Sequence, residues 1–306
     1  MEKSSRVQPG KVHRMRWGVE RRLEFIEFRL HWDGKINRSD LTTFFGISVP
    51  QASADLTKYQ ELAPENLYYD KSAKYYVSTE KFRPLFLSPD SERYFRELRS
   101  LSNGLIERED SFAGWIPDFD TTPTLERSVS PDTLHKILAA IRDKMKLHTE
   151  YQSMSRPDPM WRWISPHALG FDGFRWHVRA YCHTRHEFRD FLFSRILSIS
   201  DGESSSIDEL SDREWHEFVT IRIGPHPGLE DNLRRVTELD YEMENGEKAI
   251  SVRGALFFYL ARRLGLSKNS EAEPPKSQHI VPLNWDEAIM KIAELKRSDK
   301  DALRNT

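Results

Sequence analysis

Cysteine is almost absent: Cys182 is the single one in 306 residues. That excludes an internal disulfide framework and suits a reducing cytosol, so a cytoplasmic protein is expected. No run of 18 apolar residues occurs, which excludes a membrane-spanning helix and a membrane partner. The opening MEKSSRVQPGK lacks the apolar core of a secretory signal. None of GxxxxGK(S/T), GxGxxG, GxSxG, HExxH or CxxC is present. The commonest nucleotide-hydrolase, dinucleotide, serine-hydrolase, metalloprotease and redox signatures are thereby removed. No catalytic residue, metal or cofactor is expected. Cys182, His183 and His186 offer three metal-ligand types, but they straddle a predicted turn and read better as surface residues. Net charge is small as well: 46 Lys and Arg against 48 Asp and Glu leave −2, which taken alone argues against a nucleic-acid partner.

What is present changes that picture. Residues 1–83 carry 15 basic and 11 acidic side chains, a net +4, and residues 84–306 the other 31 and 37, a net −6. A basic head thus sits on an acidic body. Hydrophobic residues make up 38% and aromatics 11%, enough bulk for two or three cores. After about 12 residues of basic arm, Met15, Val19, Leu23, Ile26 and Leu30 mark one helix face, and Phe25, Phe28 and Trp32 form a second stripe. Either this is a central helix buried on several sides, or one stripe faces a second subunit. SDLTTFFG (39–46) predicts a short helix with Ser39 as N-cap, Leu41, Phe44 and Phe45 inward, and Gly46 ending it. Ser48 and Gln51 form a capping-box pattern around Pro50. The helix that follows is expected to bury Val49, Ala52, Leu56 and Tyr59 and to show Gln51, Ser53, Asp55 and Lys58. Residues 67–77 read as two short strands around a polar turn, a wing after a helix-turn-helix. An interaction module of the same shape that does not bind DNA is the alternative.

The body divides further. A helix over 90–101 and a Pro-, Asp- and Thr-rich stretch suggest a connector over 84–129. Ser130-Pro131 starts a helix with Leu134, Ile137, Leu138 and Ile141 on one face. The period then changes to two, with strands expected at 147–155, 160–169, 174–182 and 187–196, suggesting a small barrel over 130–205. Residues 206–306 read as an α+β unit: a strand at 219–223, a hairpin of 237–243 and 248–253 around Asn245-Gly246, and helices at 254–265 and 285–297. The expected class is therefore a multidomain α+β protein.

The 174–182 strand is the most informative segment. Phe174, Trp176, Val178, Ala180 and Cys182 share one face, expected to be barrel core; Arg175, His177, Arg179, Tyr181 and His183 share the other. The second face is either a solvated exterior or an anion-binding surface, since arginine forks match phosphate and carboxylate. Tyr151, Ser153 and Ser155 alternate on the first strand, His167 lies on the second, and Arg189 and Arg195 on the fourth. Hydroxyl, imidazole and guanidinium groups gathered in one small barrel would suit a nucleotide or a nucleic-acid fragment.

Trp176-His177-Val178-Arg179-Ala180-Tyr181-Cys182 resembles the stretch that names the WYL domain, flanked by Pro166-His167-Ala168-Leu169 and Phe193-Ser194-Arg195-Ile196. Trp176 agrees with the naming triplet, whereas His177 and Val178 replace its Tyr and Leu. The order of winged helix, WYL domain and C-terminal extension completes the resemblance over nearly the whole chain. Tyr151-Gln152-Ser153-Met154-Ser155 further resembles the regulators of bacterial anti-phage islands, the group that contains BrxR and CapW. The resemblance implies an Sm-like barrel that senses a nucleotide or nucleic-acid ligand, with Trp176 among its contacts. It also implies a homodimer that binds double-stranded DNA at an inverted repeat, without catalysis.

The head would then dock residues 48–60 in the major groove. Gln51 and Ser53 are expected at base edges, with Ser48 at the same interface, and Arg38, Lys58, Lys71 and Lys74 at phosphates. A repressor of a phage-defence operon is expected. An activator responding to DNA damage, a nucleic-acid-processing enzyme holding Mg²⁺ with clustered carboxylates, and an adaptor without ligand are the other readings. The acidic residues are scattered in sequence, which disfavours the enzyme.

Overall fold

The computed structural model describes residues 17–88, 90–123, 125 and 127–304. The expected basic arm and Met15 lie outside them. The chain forms two compact units, residues 1–123 and 124–306.

In the first unit, α1 (Trp17–Trp32) is the core element, with Leu23, Phe25, Ile26, Phe28 and Leu30 all buried. Both predicted stripes are thus used inside one unit, against α2 (Arg38–Phe45), α3 (Val49–Leu62) and the sheet. That sheet runs β1 (Lys35–Ile36), β3 (Tyr75–Ser78), β2 (Leu67–Asp70), all antiparallel. Asn37, not Ser39, caps α2: its side chain takes the Asp40 N–H at 3.0 Å, and Asp40 returns the bond to the Asn37 N–H at 2.7 Å. Gly46 ends α2 at φ 62, as its sequence position predicts. The stretch after the wing packs onto the same core through Leu87, Phe112 and Ala113, and carries α4 (Ser91–Ser102). Glu27 explains the attachment. Fully buried on α1, it accepts the Tyr59 hydroxyl at 2.9 Å and the backbone N–H groups of Leu85, Phe86 and Leu87 at 2.7 Å each. Burial, with Glu27 adding to it, raises the ionisation of Tyr59 well above the ordinary phenol range.

The second unit opens with α5 (Pro131–Arg142), capped by Ser130, and continues into five antiparallel strands: β4 (Met145–Tyr151), β5 (Met160–Phe171), β6 (Trp176–Cys182), β7 (Glu187–Leu192) and β8 (Ile196–Ser204). Their order is β7-β6-β5-β4-β8. A flat sheet would hold the outer strands about 19 Å apart, four spacings of roughly 4.8 Å. Yet only Phe193–Arg195 join β7 to β8, a span of at most about 14 Å. The sheet must curl toward the expected small barrel, with β7 and β8 brought close at the seam although they do not pair among the described residues. Tyr151 bridges the seam, its hydroxyl accepting the Leu192 N–H at 3.2 Å. Ile164, Val178, Ala180 and Cys182 fill the interior.

Several expectations give way. The first strand stops at Tyr151, so Ser153 and Ser155 lie in a loop rather than on its face. Leu138, Phe174 and Trp176 are exposed; the last two sit at the β5–β6 tip, beyond the barrel's edge. Residues 237–243 do not pair with 248–253. They complete α7 (Asp231–Asp240) and a turn, while β10 (Lys248–Arg253) joins β9 (Phe218–Pro225), which also pairs with β11 (Ile280–Pro282). Asn245 and Gly246 do turn with positive φ, at 54 and 78, but they follow a helix. α6 (Arg213–His216), α8 (Phe257–Arg263) and α9 (Trp285–Arg304) complete the unit.

Candidate functional site

Two surfaces carry candidate residues. The first is the exposed side of α3 with the wing. Ser48 caps α3 by accepting the Gln51 N–H at 3.4 Å. Gln51 does not close the capping box, because its amide Nε2 donates to Asp55 at 3.1 Å instead. Asp55, expected on the exposed face, is buried and grips Arg22 through bonds of 2.6 and 3.2 Å. The helix turns this carboxylate toward α1, where a guanidinium compensates it. Val49, expected inside, is exposed beside Gln51. Ser53 returns its hydroxyl to the Val49 carbonyl at 3.0 Å. Lys58 is half-buried, and Arg38, Lys71 and Lys74 are exposed. The wing turn is built by Asp70, which takes the Ser72 hydroxyl at 2.6 Å and the Ser72 and Ala73 N–H groups at 2.8 and 3.1 Å. These bonds, the Ser72 hydroxyl first, lower its ionisation. Lys74 closes the turn at φ 58.

The second surface is a pocket of about 330 Å³ at the open end of the barrel. The loop after β4 brings Ser153, Ser155 and Arg156; β5 brings Arg162; the β6–β7 turn brings Arg185; β7 brings Arg189; and the connection to β8 brings Arg195. Tyr151 forms its wall. Five guanidinium groups thus line a space where Asp190 is the one acid among the described residues. The Arg162 guanidinium lies 5.4 Å from the Tyr151 ring centroid, and its Nε is buried without a partner among the described residues. The pocket is thus lined by guanidinium groups whose geometry matches phosphate or carboxylate oxygens.

Sequence reasoning placed ten residues at this site. The fold brings Tyr151, Ser153, Ser155, Arg189 and Arg195 together there. His167, His177, Arg179, Tyr181 and Trp176 are elsewhere. Arg179 is buried and donates to Asp212 at 2.7 and 2.8 Å, to Glu214 at 3.2 Å and to Asp190 at 3.2 Å. His167 meets the same Asp212 at 2.9 Å, and His177 meets Asp172 at 3.0 Å. Burial acts against the charge of Arg179, yet these carboxylates hold its ionisation above the ordinary value. Burial likewise works against the charge of Asp212, and Arg179 and His167 keep it low. Asp299, on α9, has no such cation bond: burial first, then Asp212 and Glu214, push it up to about 7. On this face of β6 the guanidinium of Arg179 is taken up by the protein's own carboxylates, while Arg175 and His183 are half-buried and Arg179 borders a cavity of about 770 Å³ with Glu214 and Tyr259. Tyr181 is buried against Phe188, and Trp176 packs at a tilt against Phe171 with 4.9 Å between ring centroids. The carboxylates scattered in sequence do gather, but around a guanidinium. Among the described residues no group of three or more His, Cys, Asp or Glu is placed to hold a metal.

Arg156, Arg162, Arg185 and Asp190 were missed. The signal for Arg162 was its position two residues after Met160 on a strand facing Tyr151; Arg156 and Arg185 lie in turns, where alternation gives no direction.

Comparison with known proteins agrees with this architecture. Residues 18–100 match the family model described as the BrxR transcriptional regulator winged helix-turn-helix domain. Residues 132–200 match the WYL domain, and residues 218–288 the BrxR transcriptional regulator C-terminal dimerization domain. The chain is 42% identical over 293 residues to a DNA-binding transcriptional repressor CapW of Stenotrophomonas maltophilia, covering 95% of this chain and 97% of that one. It is 44% identical over 274 residues to the CapW of Pseudomonas aeruginosa, covering 89% and 91%. The CapW of Escherichia coli strain KTE188 is 43% identical over 272 residues, again covering 89% and 91%.

Proposed function

This chain belongs to the CapW family of DNA-binding transcriptional repressors, and on that premise we propose that it is a homodimeric repressor of a phage-defence operon. In this reading it binds an inverted-repeat operator and is released by a nucleotide or nucleic-acid fragment in the arginine pocket. The observation that carries the ligand reading is the set of five arginines that line one pocket with a single acid among the described residues.

For the operator, Gln51 is the base reader. Adenine presents one acceptor and one donor in the major groove, and a glutamine amide meets both. Asp55 takes one amide N–H of Gln51, which leaves the second N–H and the oxygen oriented outward. Two heads on a dimer read half-sites about 34 Å apart. The test is a gel shift on the DNA upstream of the protein's own gene. Gln51→Ala is expected to lose roughly tenfold in preference over an operator changed at one base pair, within the range for a bidentate contact. Lys58→Ala is expected to weaken all sequences alike and reduce the salt slope by about 1. Unchanged sequence preference in Gln51→Ala would remove it from the base-reading role.

For the ligand, Arg195→Ala and Ser153→Ala are expected to bind operator as the parent does, but to lose release by a 5′-phosphorylated tetradeoxynucleotide. Retained release in both variants would empty the pocket of its role. Loss of folding in both would make those residues structural instead.

A further inference from the structure

Asp190 stands where two cavities meet. It and Arg189 border the arginine pocket on one side, and on the other a larger cavity of about 770 Å³ walled by Glu214, Tyr259 and Asp299. Register places Asp190 directly across from Arg179 on the neighbouring strand. One carboxylate oxygen of Asp190 accepts from Arg179 at 3.2 Å, and the other accepts the Tyr259 hydroxyl at 3.0 Å. Among the described residues, the one acid lining the anion pocket is therefore also a clasp that holds α8 of the C-terminal domain against the barrel.

The clasp is built to open. Arg179 grips Asp212 at 2.7 and 2.8 Å and Asp190 only at 3.2 Å. Losing Asp190 leaves that guanidinium still paired. An anion seated among the arginines brings like charge against the Asp190 carboxylate in a partly buried space, where such repulsion is strong. Arg189, whose exposed guanidinium pairs with Glu187 at 2.8 Å, can turn toward an anion among the arginines.

We propose that Asp190 transmits occupation of the arginine pocket to the C-terminal domain: a bound phosphate displaces its carboxylate, and the bonds to Arg179 and Tyr259 break. This rests on the ligand reading above. A ligand shifts a conformational equilibrium only by its difference in affinity for the two states. Here the difference is the repulsion by Asp190, present in the clasped state and relieved in the open one.

The test uses the full-length dimer with Asp190→Asn and Tyr259→Phe, a 5′-phosphorylated tetradeoxynucleotide as probe, and operator DNA. Asp190→Asn removes the repelling charge, so it is expected to bind the probe roughly tenfold more tightly, about one pKa unit of charge interaction. Tyr259→Phe keeps the Asp190 charge but loosens the clasp, and is expected to bind the probe at least as tightly as the parent and less tightly than Asp190→Asn. In the parent, saturating probe is expected to weaken operator binding at least about fivefold, within the usual range of coupling between sites. In both variants that ratio is expected to fall below about twofold. Parental coupling in both variants would overturn the proposal, as would unchanged probe affinity in Asp190→Asn. If the parent does not bind the probe, the ligand reading fails by itself, and the clasp is judged by operator affinity without probe. Asp190→Asn should then still weaken operator binding about fivefold, and an unchanged operator affinity overturns the clasp.

Discussion

Arg179→Met is expected to lower the unfolding temperature of the second unit by roughly 10 °C at pH 8. Arg179 is nearly fully buried and joins carboxylates from two strand-edge and loop segments, Asp190, Asp212 and Glu214. Methionine fills much of the same volume but leaves those charges facing each other without a cation. Removing one partner of a buried ion pair costs about 3–5 kcal/mol, and in a domain of this size each kcal/mol moves the midpoint by about 2–4 °C. The pH dependence separates charge from packing. In the parent, Asp212 is held below its ordinary ionisation. A lowered folded-state value contributes stability that is present above the unfolded value near 3.8 and is lost as pH falls through the folded one. The variant lacks that contribution, and its carboxylates gain from taking up protons. That contribution is unchanged between pH 8 and pH 5, both above the unfolded value, so the deficit shrinks in this window only through proton uptake by the carboxylates that the variant leaves without a cation. Adding Asp212→Asn to Arg179→Met should recover part of the loss. Circular dichroism melts at the two pH values measure both effects. An equal deficit at pH 5 and pH 8, without recovery in the double variant, would make the residue a packing element instead.

Glu27→Ala is expected to unfold the head selectively and with it to abolish operator binding. The substitution strands three backbone N–H groups and the Tyr59 hydroxyl in a buried site. Each such group costs about 1–3 kcal/mol when left unsatisfied. A total of several kcal/mol is a large part of a small domain's stability. Glu27→Gln keeps the shape but turns N–H donors toward N–H donors, so it should not rescue. Tyr59→Phe leaves the carboxylate bound to its three backbone partners but strands the Asn66 amide N–H that donates to the hydroxyl at 2.9 Å, so its loss should be about 1–3 kcal/mol, less than that of Glu27→Ala. In a melt of the full chain, Glu27→Ala should lower the transition of the first unit and leave that of the second in place, the reverse of Arg179→Met. A Glu27→Gln protein with parental stability and operator affinity would show that shape, not acceptance of hydrogen bonds, is what the site requires.

The two residues illustrate what sequence reasoning reaches. Glu27 sits between Ile26 and Phe28 in a helix whose apolar stripes were plain. A periodicity reading treats such a glutamate as solvated, since nothing nearby shows that residues 85–87 return to it. In Arg179 the sequence shows a fork for oxygen anions. What failed was the identity of the oxygens: they are the protein's own, from residues 190, 212 and 214. Gln51 was found by its place near the start of a capped helix, but not the Asp55–Arg22 pair that orients it. Half of the expected ligand set does meet in one pocket because Tyr151, Arg189 and Arg195 lie near strand ends that the barrel's closure brings together.

Local chemistry was readable along the chain because it acts over a few residues. Gly46 stops a helix, Ser130-Pro131 starts one, and the change from period 3.6 to period 2 after residue 145 marks the passage from helix to barrel. The order of winged helix, barrel and α+β extension, and the resemblance built on it, followed from such signals. Which face of β6 is covered was decided only by tertiary structure. Alternation sorts side chains into two sets, but both faces of this strand are buried by segments distant in sequence. The same folding turned one set of arginines and histidines into a buried ion network and left another, drawn from loops and strand ends, around an open pocket.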